Sequence, residues 1–103
     1  MATIEGLVGI GDLIETREDY REGRPYIAGT GVSVGRIGVL WREGRTPEQI
    51  ASDVFDGHLT LAQVYAALAY YMKNRALIDA DLERQDEATD RAAEAWYAAH
   101  TPA

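Results

Sequence analysis

Two copies of one short pattern limit what this chain can fold into: Thr-Pro-Glu-Gln at 46–49 and Thr-Leu-Ala-Gln at 60–63. In such a capping box the threonine hydroxyl accepts a hydrogen bond from the amide three residues later. The glutamine side chain accepts one from the threonine amide. Each pattern therefore predicts a helix start, and the Asp-Gly pair between them predicts a turn at 56–59. Helix, short turn and helix in this order are typical of a helix-turn-helix.

Another helix is predicted before this pair, with Ser33 as its N-cap and Gly44 just after its end. Apolar residues at helical spacing give each helix a predicted inner face. For the first helix they are Val34, Ile37, Leu40 and Trp41, and for the second Ile50, Ala51, Val54 and Phe55. For the third helix they are Leu61, Val64, Tyr65, Leu68, Tyr71 and Met72.

A short antiparallel hairpin is predicted ahead of the helices, with strands at Leu13–Thr16 and Pro25–Ala28. Two strands alone are marginally stable in water, so the hairpin must pack on the helices or pair with another subunit. Its open edge and the spare apolar surface predict a homodimer. The expected fold is mainly α with a small N-terminal β-hairpin, in a domain at 1–75 followed by an acidic helical extension at 76–103.

The extension carries most of the charge. The chain has a net charge of −7, and seven acids against two arginines give residues 76–103 a balance of −5. Acidic tails usually solubilise a protein, but they also bind basic partners, and both interpretations stay open here. The apolar residues that would contact a partner from this segment are Leu77, Leu82 and Trp96.

The predicted outer face of the third helix decides between DNA and protein binding. Only Gln63, helped by Thr60, has the donor and acceptor groups that read base edges. The cations expected to meet phosphates are Arg36, Arg42, Arg45 and Lys73. The rest of this face is small or aromatic and fits a protein partner equally well, through Ala66, Ala69 and Tyr70.

Enzyme chemistry has little support in the residues. The glycines at 29–35 resemble a phosphate loop, but the dinucleotide folds that use one need repeated βαβ units, and we interpret the segment as a tight corner. The chain has no cysteine and two histidines, and no cluster with metal-ligand spacing. We therefore expect no catalytic residue, metal or cofactor. No apolar run reaches the roughly 20 residues of a membrane span and no basic leader is present, so a cytoplasmic protein is expected.

Three segments in order, "GRPYIAGTGVSVGRI", "REGRTPEQIASDV" and "HLTLAQVYAALAYYMKNRALIDADL", resemble a bacterial family of domains of unknown function, number 433. The resemblance implies a homeodomain-like or winged helix-turn-helix with an N-terminal β-hairpin. It also implies a VapB-type antitoxin-like role beside a PIN-like ribonuclease toxin. At Gly31 the chain departs from the family, which usually has an arginine after Gly-Thr.

These observations lead to two expectations. The first is a non-catalytic, antitoxin-like regulatory protein that binds a PIN-like partner, with DNA binding left open. The second is a protein-interaction or dimerisation module that does not bind nucleic acid.

Overall fold

The computed structural model describes residues 4–100, apart from the side chain of Arg21. The chain divides into two compact units, one ending at Lys73 and the other beginning at Asn74. The sequence placed this boundary two residues later. We call the first unit the body and describe the two separately.

The predicted hairpin is present but shorter than expected. Strand β1 (Ile14–Glu15) pairs antiparallel with β2 (Tyr26–Ile27). A 3-10 helix at Ile10–Leu13 takes up the first residue of the predicted strand. The Tyr26 hydroxyl donates a 2.7 Å hydrogen bond to the Glu15 carboxylate across the pair. That bond, together with burial, raises the pKa of Tyr26.

The glycine corner after β2 is closed by its own backbone and by Thr30. Gly29 has a φ of +75°, a conformation that favours glycine. The Thr30 hydroxyl donates to the Ile27 carbonyl at 2.8 Å and accepts from the Val32 amide at 3.1 Å. Gly31 is exposed in this corner. These contacts fit a tight turn that leads the chain into a helix.

Helix α1 (Val34–Arg42) begins and ends as the sequence predicts. The Ser33 hydroxyl accepts from the Arg36 amide at 3.1 Å. At the other end Gly44 has a φ of +99°, and its amide donates to the Trp41 carbonyl at 3.0 Å. This is the arrangement in which a left-handed glycine satisfies the last carbonyls of a helix.

Helix α2 (Pro47–Gln49) continues directly into a π-helical turn, Ile50–Val54. Its capping box is confirmed: the Gln49 amide donates to the Thr46 hydroxyl at 3.1 Å, and the Thr46 amide to the Gln49 side chain at 2.9 Å. The chain then reverses through two residues with positive φ, Asp56 at 50° and Gly57 at 76°.

Helix α3 (Leu61–Lys73) is the centre of the body. The second capping box is also confirmed, with the Gln63 amide 3.1 Å from the Thr60 hydroxyl. Helix α3 contacts α1, α2, both strands and the 3-10 helix at Ile10–Leu13. The larger side chains that are fully buried are Tyr71, Ile27, Ile37, Ile50, Val34 and Val64.

The packing of α1 on α3 depends on one glycine. A Cβ built at Gly38 would lie 2.7 Å from the nearest Tyr71 ring carbon. The Tyr71 ring also meets Trp41 edge-on, with ring centroids 6.5 Å apart. Glycine at 38 is therefore what lets the tyrosine ring lie against the α1 backbone.

The prediction of which α3 residues face the core and which face the solvent is partly wrong. Ala66, expected outside, is 3 % exposed. Leu61, Tyr65 and Met72, expected inside, are 41, 49 and 45 % exposed. The apolar residues of α3 cover more than one face, and the close approach at Tyr71 selects which of them are buried. The buried side of α3 extends around the helix from Leu68 through Tyr71 and Ala67 to Ala66, and longer apolar side chains outside this arc are exposed.

Helix α4 (Arg75–His100) makes up the described part of the second unit and contains no buried residue. It starts after a turn at Asn74. Near its start Arg75 pairs with Asp79 at 3.6 Å, and near its end the Trp96 and His100 rings stack 4.2 Å apart. Within residues 4–100 no helix has the length and apolarity to cross a bilayer.

We expect Gly38→Ala to lower the free energy of unfolding by about 1–3 kcal/mol, because the added methyl group forces the Tyr71 ring or the α1 backbone to move. Urea denaturation followed by circular dichroism measures the change. Gly11→Ala is the matched control, since nothing lies within 4 Å of a Cβ there, and we expect it to stay within about 0.5 kcal/mol of the parent. Equal stability of the two variants would contradict the packing argument.

Candidate functional site

The outward face of α3 is apolar. Its exposed residues Leu61, Ala62, Tyr65, Ala69 and Met72 lie within about 100° of the helix circumference at 3.6 residues per turn. We call these five residues the α3 stripe. Lys73, also exposed, is the basic residue at the end of the helix. Of the predicted contact residues on this helix, Ala69 belongs to the stripe, Tyr70 is half-buried and Ala66 lies in the core.

The predicted base-reading residues are engaged in the cap of α3. The Gln63 side-chain oxygen accepts a 2.7 Å hydrogen bond from the Thr60 amide. The Thr60 hydroxyl in turn accepts from the Gln63 amide. A bidentate contact of glutamine with adenine uses the side-chain oxygen as well as the nitrogen. While the cap is formed, the Gln63 side chain is held against the Thr60 amide, and one lone pair of its oxygen is in use, which disfavours the bidentate geometry of base readout.

The four predicted phosphate-binding cations are exposed but are not gathered along α3. Lys73 lies ten residues after Gln63, about 15 Å along the helix axis. Arg36 and Arg42 lie on α1, and Arg45 follows it. Arg45 also borders a surface depression of about 330 Å³, lined besides by Gln49, Asp53 and Val54, so an acid shares its surroundings.

Three of these cations are free of internal ion pairs. Arg36, Arg45 and Lys73 form none with any residue that the structure describes. Their charges are therefore not neutralised by an acid within the described residues, and cations of this kind, where they contact phosphates, give affinity without sequence selectivity.

One contact was not foreseen from the sequence. The Tyr65 hydroxyl donates a 3.0 Å hydrogen bond to the Glu48 carboxylate, joining α3 to α2. This bond, with partial desolvation, raises the pKa of Tyr65. The residues are seventeen positions apart, beyond the range of helix periodicity, so no local pattern predicts the pair.

Helix α4 carries the second surface. Its exposed acids Glu83, Asp86, Glu87, Asp90 and Glu94 lie within about 100° of its circumference. We call these five residues the acidic stripe. None of them forms an ion pair with a residue between 4 and 100. By contrast, Asp79 is paired with Arg75 and Asp81 with Arg84.

The three predicted partner contacts on α4 do not share one face. Leu82 is half-buried and Trp96 is 56 % exposed, and they lie about 40° apart around the helix. Leu77 is 75 % exposed but lies about 140° around from Leu82. Leu82 and Trp96 thus lie on the same side of α4, beside the acidic stripe, but about 21 Å apart along the helix axis, and Leu77 lies on another side.

Within the described part of the chain no group of three histidine, aspartate or glutamate residues is arranged to hold a metal ion. The Ser52 hydroxyl donates to the Glu48 carbonyl at 2.8 Å, a local helical contact.

Comparison with known families gives one finding. The model of a family described as "Protein of unknown function (DUF433)" matches residues 14–71. The matched segment runs from the first residue of β1 to Tyr71, the core tyrosine of α3, and α4 lies outside it. Comparison with curated proteins and with solved structures gives no significant match.

We expect Glu48→Gln to lower the pKa of Tyr65 towards its ordinary value of about 10, because the negative acceptor of its hydroxyl proton is removed. NMR of ¹³C-labelled tyrosine side chains during a pH titration measures the shift. A raised pKa in the folded state stabilises the protein below the unfolded value of about 10, and that contribution is lost as pH rises through the folded pKa. The parent should therefore lose more stability above pH 10 than Tyr65→Phe.

Glu43→Gln is the control for charge removal, since Glu43 is exposed at the end of α1. It should leave the Tyr65 titration unchanged. An unaltered Tyr65 pKa in Glu48→Gln would mean that the hydrogen bond does not persist in solution.

Proposed function

The chain belongs to the DUF433 family of proteins of unknown function, and we propose that it is a non-catalytic, antitoxin-like regulatory protein. In this proposal α4 binds a basic partner protein. The acidic stripe is the observation that carries the proposal.

The negative charges of the acidic stripe destabilise α4 when no partner is bound. Acids four residues apart repel each other by a few tenths of a kcal/mol per pair, and Glu83–Glu87, Asp86–Asp90 and Asp90–Glu94 are three such pairs. Without a partner, no cation among the described residues pairs with these charges. A basic surface placed against this face would relieve the repulsion and gain attraction at every position. Five unpaired acids on one face thus favour a cationic partner over a purely solubilising role.

A PIN-like ribonuclease toxin fits this surface by its chemistry. A nuclease that holds RNA must present cations to the phosphate backbone, and the acidic stripe offers carboxylates to the same groups. Leu82 and Trp96, beside the stripe, would add apolar contact, the kind of aromatic anchor that contributes strongly to protein interfaces. Such a complex would act in the cytoplasm.

The body supports a second candidate function, DNA binding. We interpret α2, the turn at Asp56–Gly57 and α3 as a homeodomain-like helix-turn-helix. The free cations Arg36, Arg45 and Lys73 favour contacts with phosphates. The engaged Gln63 and the apolar α3 stripe argue against base readout, so such binding would have little sequence selectivity. A protein-interaction module without nucleic-acid binding is the remaining alternative.

We expect neutralising four of the five acids of the acidic stripe (Glu83→Gln, Asp86→Asn, Asp90→Asn and Glu94→Gln together) to weaken partner binding by roughly fourfold to several hundredfold, since each exposed pair contributes about 0.2–1 kcal/mol. Titration calorimetry with the product of the neighbouring gene, which the proposal expects to be PIN-like, measures this. The affinity of the parent should also fall with added salt.

A control variant removes the same charge from the body: Glu5→Gln, Asp12→Asn, Glu18→Gln and Glu43→Gln, all at exposed positions. It should bind like the parent. Equal weakening in both variants would show an effect of net charge alone, and full binding after removal of residues 76–103 would refute the role of α4. A neighbouring gene of another kind would contradict the PIN-like partner.

DNA binding is tested by a salt titration with duplex DNA. For three phosphate contacts, log affinity should fall with log salt with a slope of about −2.7, and Arg36→Gln with Arg45→Gln should reduce the slope by roughly 2. The matched control is Arg17→Gln with Arg24→Gln, because these arginines already pair with Asp19 and Glu22. No binding at low salt would leave only the protein-interaction function.

A further inference from the structure

The α3 stripe is an unusual surface for a body of this size. On a helix that lies at the surface, the side facing away from the core normally carries polar residues. Here it carries Leu61, Tyr65 and Met72, each between 41 and 49 % exposed, together with Ala62 and Ala69 and no charged residue. Contiguous exposed apolar side chains with a polar rim mark an interaction site.

The arrangement of large and small residues within the stripe matches a second copy of itself. Consider two copies of α3 that pack antiparallel about a two-fold axis at the level of residue 67. A residue that lies a given number of positions before 67 in one copy is then level with the residue the same number of positions after 67 in the other copy. Tyr65 then lies level with Ala69 of the second copy, and Met72 with Ala62. Tyr65 and Met72 therefore each meet an alanine, and the alanines allow the close approach of about 8–10 Å between helix axes. In a parallel pair Tyr65 would meet Tyr65 instead.

The charged residues beside the α3 stripe, Lys73 and Glu48, fit the same antiparallel arrangement. Lys73 of the second copy falls level with Leu61. Helical side chains lean towards the N-terminus, so the Tyr65 hydroxyl and its partner Glu48, 3.0 Å away, lie towards that end of α3. Neither Lys73 nor Glu48 has an ion pair within the described residues. The two are thus an unpaired cation and an unpaired anion that an antiparallel pair brings to the same end.

We propose that this protein forms a two-fold symmetric homodimer through the α3 stripe, with the two α3 helices antiparallel and centred near residue 67. In a two-fold interface the same patch serves both copies, so each contact occurs twice. The proposal does not depend on partner binding by α4. It has one consequence for the body: the helix that would enter a DNA groove is covered by the second copy.

The interface is small. A stable interface buries roughly 800 Å² per partner, more than one face of a 13-residue helix supplies, and we expect dissociation in the micromolar range. Sedimentation equilibrium of the full chain between about 1 and 500 μM spans that range. Ala69→Glu places a charge in the middle of the stripe and should raise the dissociation constant at least tenfold. Ala88→Glu makes the same change on the exposed surface of α4 and should leave the constant unaltered.

The absence of cysteine allows a direct test of the register. Ala62→Cys and Met72→Cys proteins, mixed and treated with a short bis-maleimide, should give a cross-linked pair. Either one alone should not, because identical positions lie about 15 Å apart along the helices. A monomer at all concentrations, a dimer indifferent to Ala69→Glu, or cross-linking in the single-variant samples would each overturn the proposal. None of these outcomes bears on binding by the acidic stripe, which is measured with a different protein.

Discussion

The contact between the Tyr71 ring and the backbone at Gly38 is the constraint on which the body depends. A side chain at position 38 would occupy the space of the ring, with its Cβ only 2.7 Å from the nearest carbon. Because the position is glycine, α1 and α3 come close and Tyr71 is fully buried. The same contact fixes the rotation of α3 about its own axis, and so decides which residues of that helix face the solvent.

The helix boundaries could be predicted from the sequence because they are set by local chemistry. Each capping box joins residues three apart, as at Thr60 and Gln63, and a glycine such as Gly44 acts within one turn. The faces of α3 could not be predicted in the same way. Apolar residues surround much of that helix, and the selection among them depends on Gly38, which lies in another helix. Periodicity alone therefore placed Ala66 outside and Met72 inside, the reverse of their positions.

The features of the candidate surfaces also differ in whether local sequence predicts them. The excess of acids after residue 75 is visible in the composition, but their collection on one face follows only when α4 runs without a break to His100. The helical spacing of apolar residues becomes irregular in that segment, so the sequence does not predict a continuous helix there. The involvement of Gln63 in its cap follows from a local motif, the capping box at 60–63. The hydrogen bond from Tyr65 to Glu48 joins two different helices, so the local spacing of residues in the sequence does not predict it.

The position of α3 in the order of elements has a consequence for synthesis. It is the last element of the body, yet it contacts α1, α2 and both strands, so the core cannot close until α3 has been made. The residues from Asn74 to Ala103 are translated afterwards, which takes on the order of seconds at about 5–20 residues per second. Small helical domains fold in microseconds to milliseconds. The ribosomal exit tunnel encloses the most recently made segment of a nascent chain, so α3 emerges only after much of α4 has been synthesised. Folding of the body is then fast compared with synthesis, and a chain that stops within α3 could not close its core.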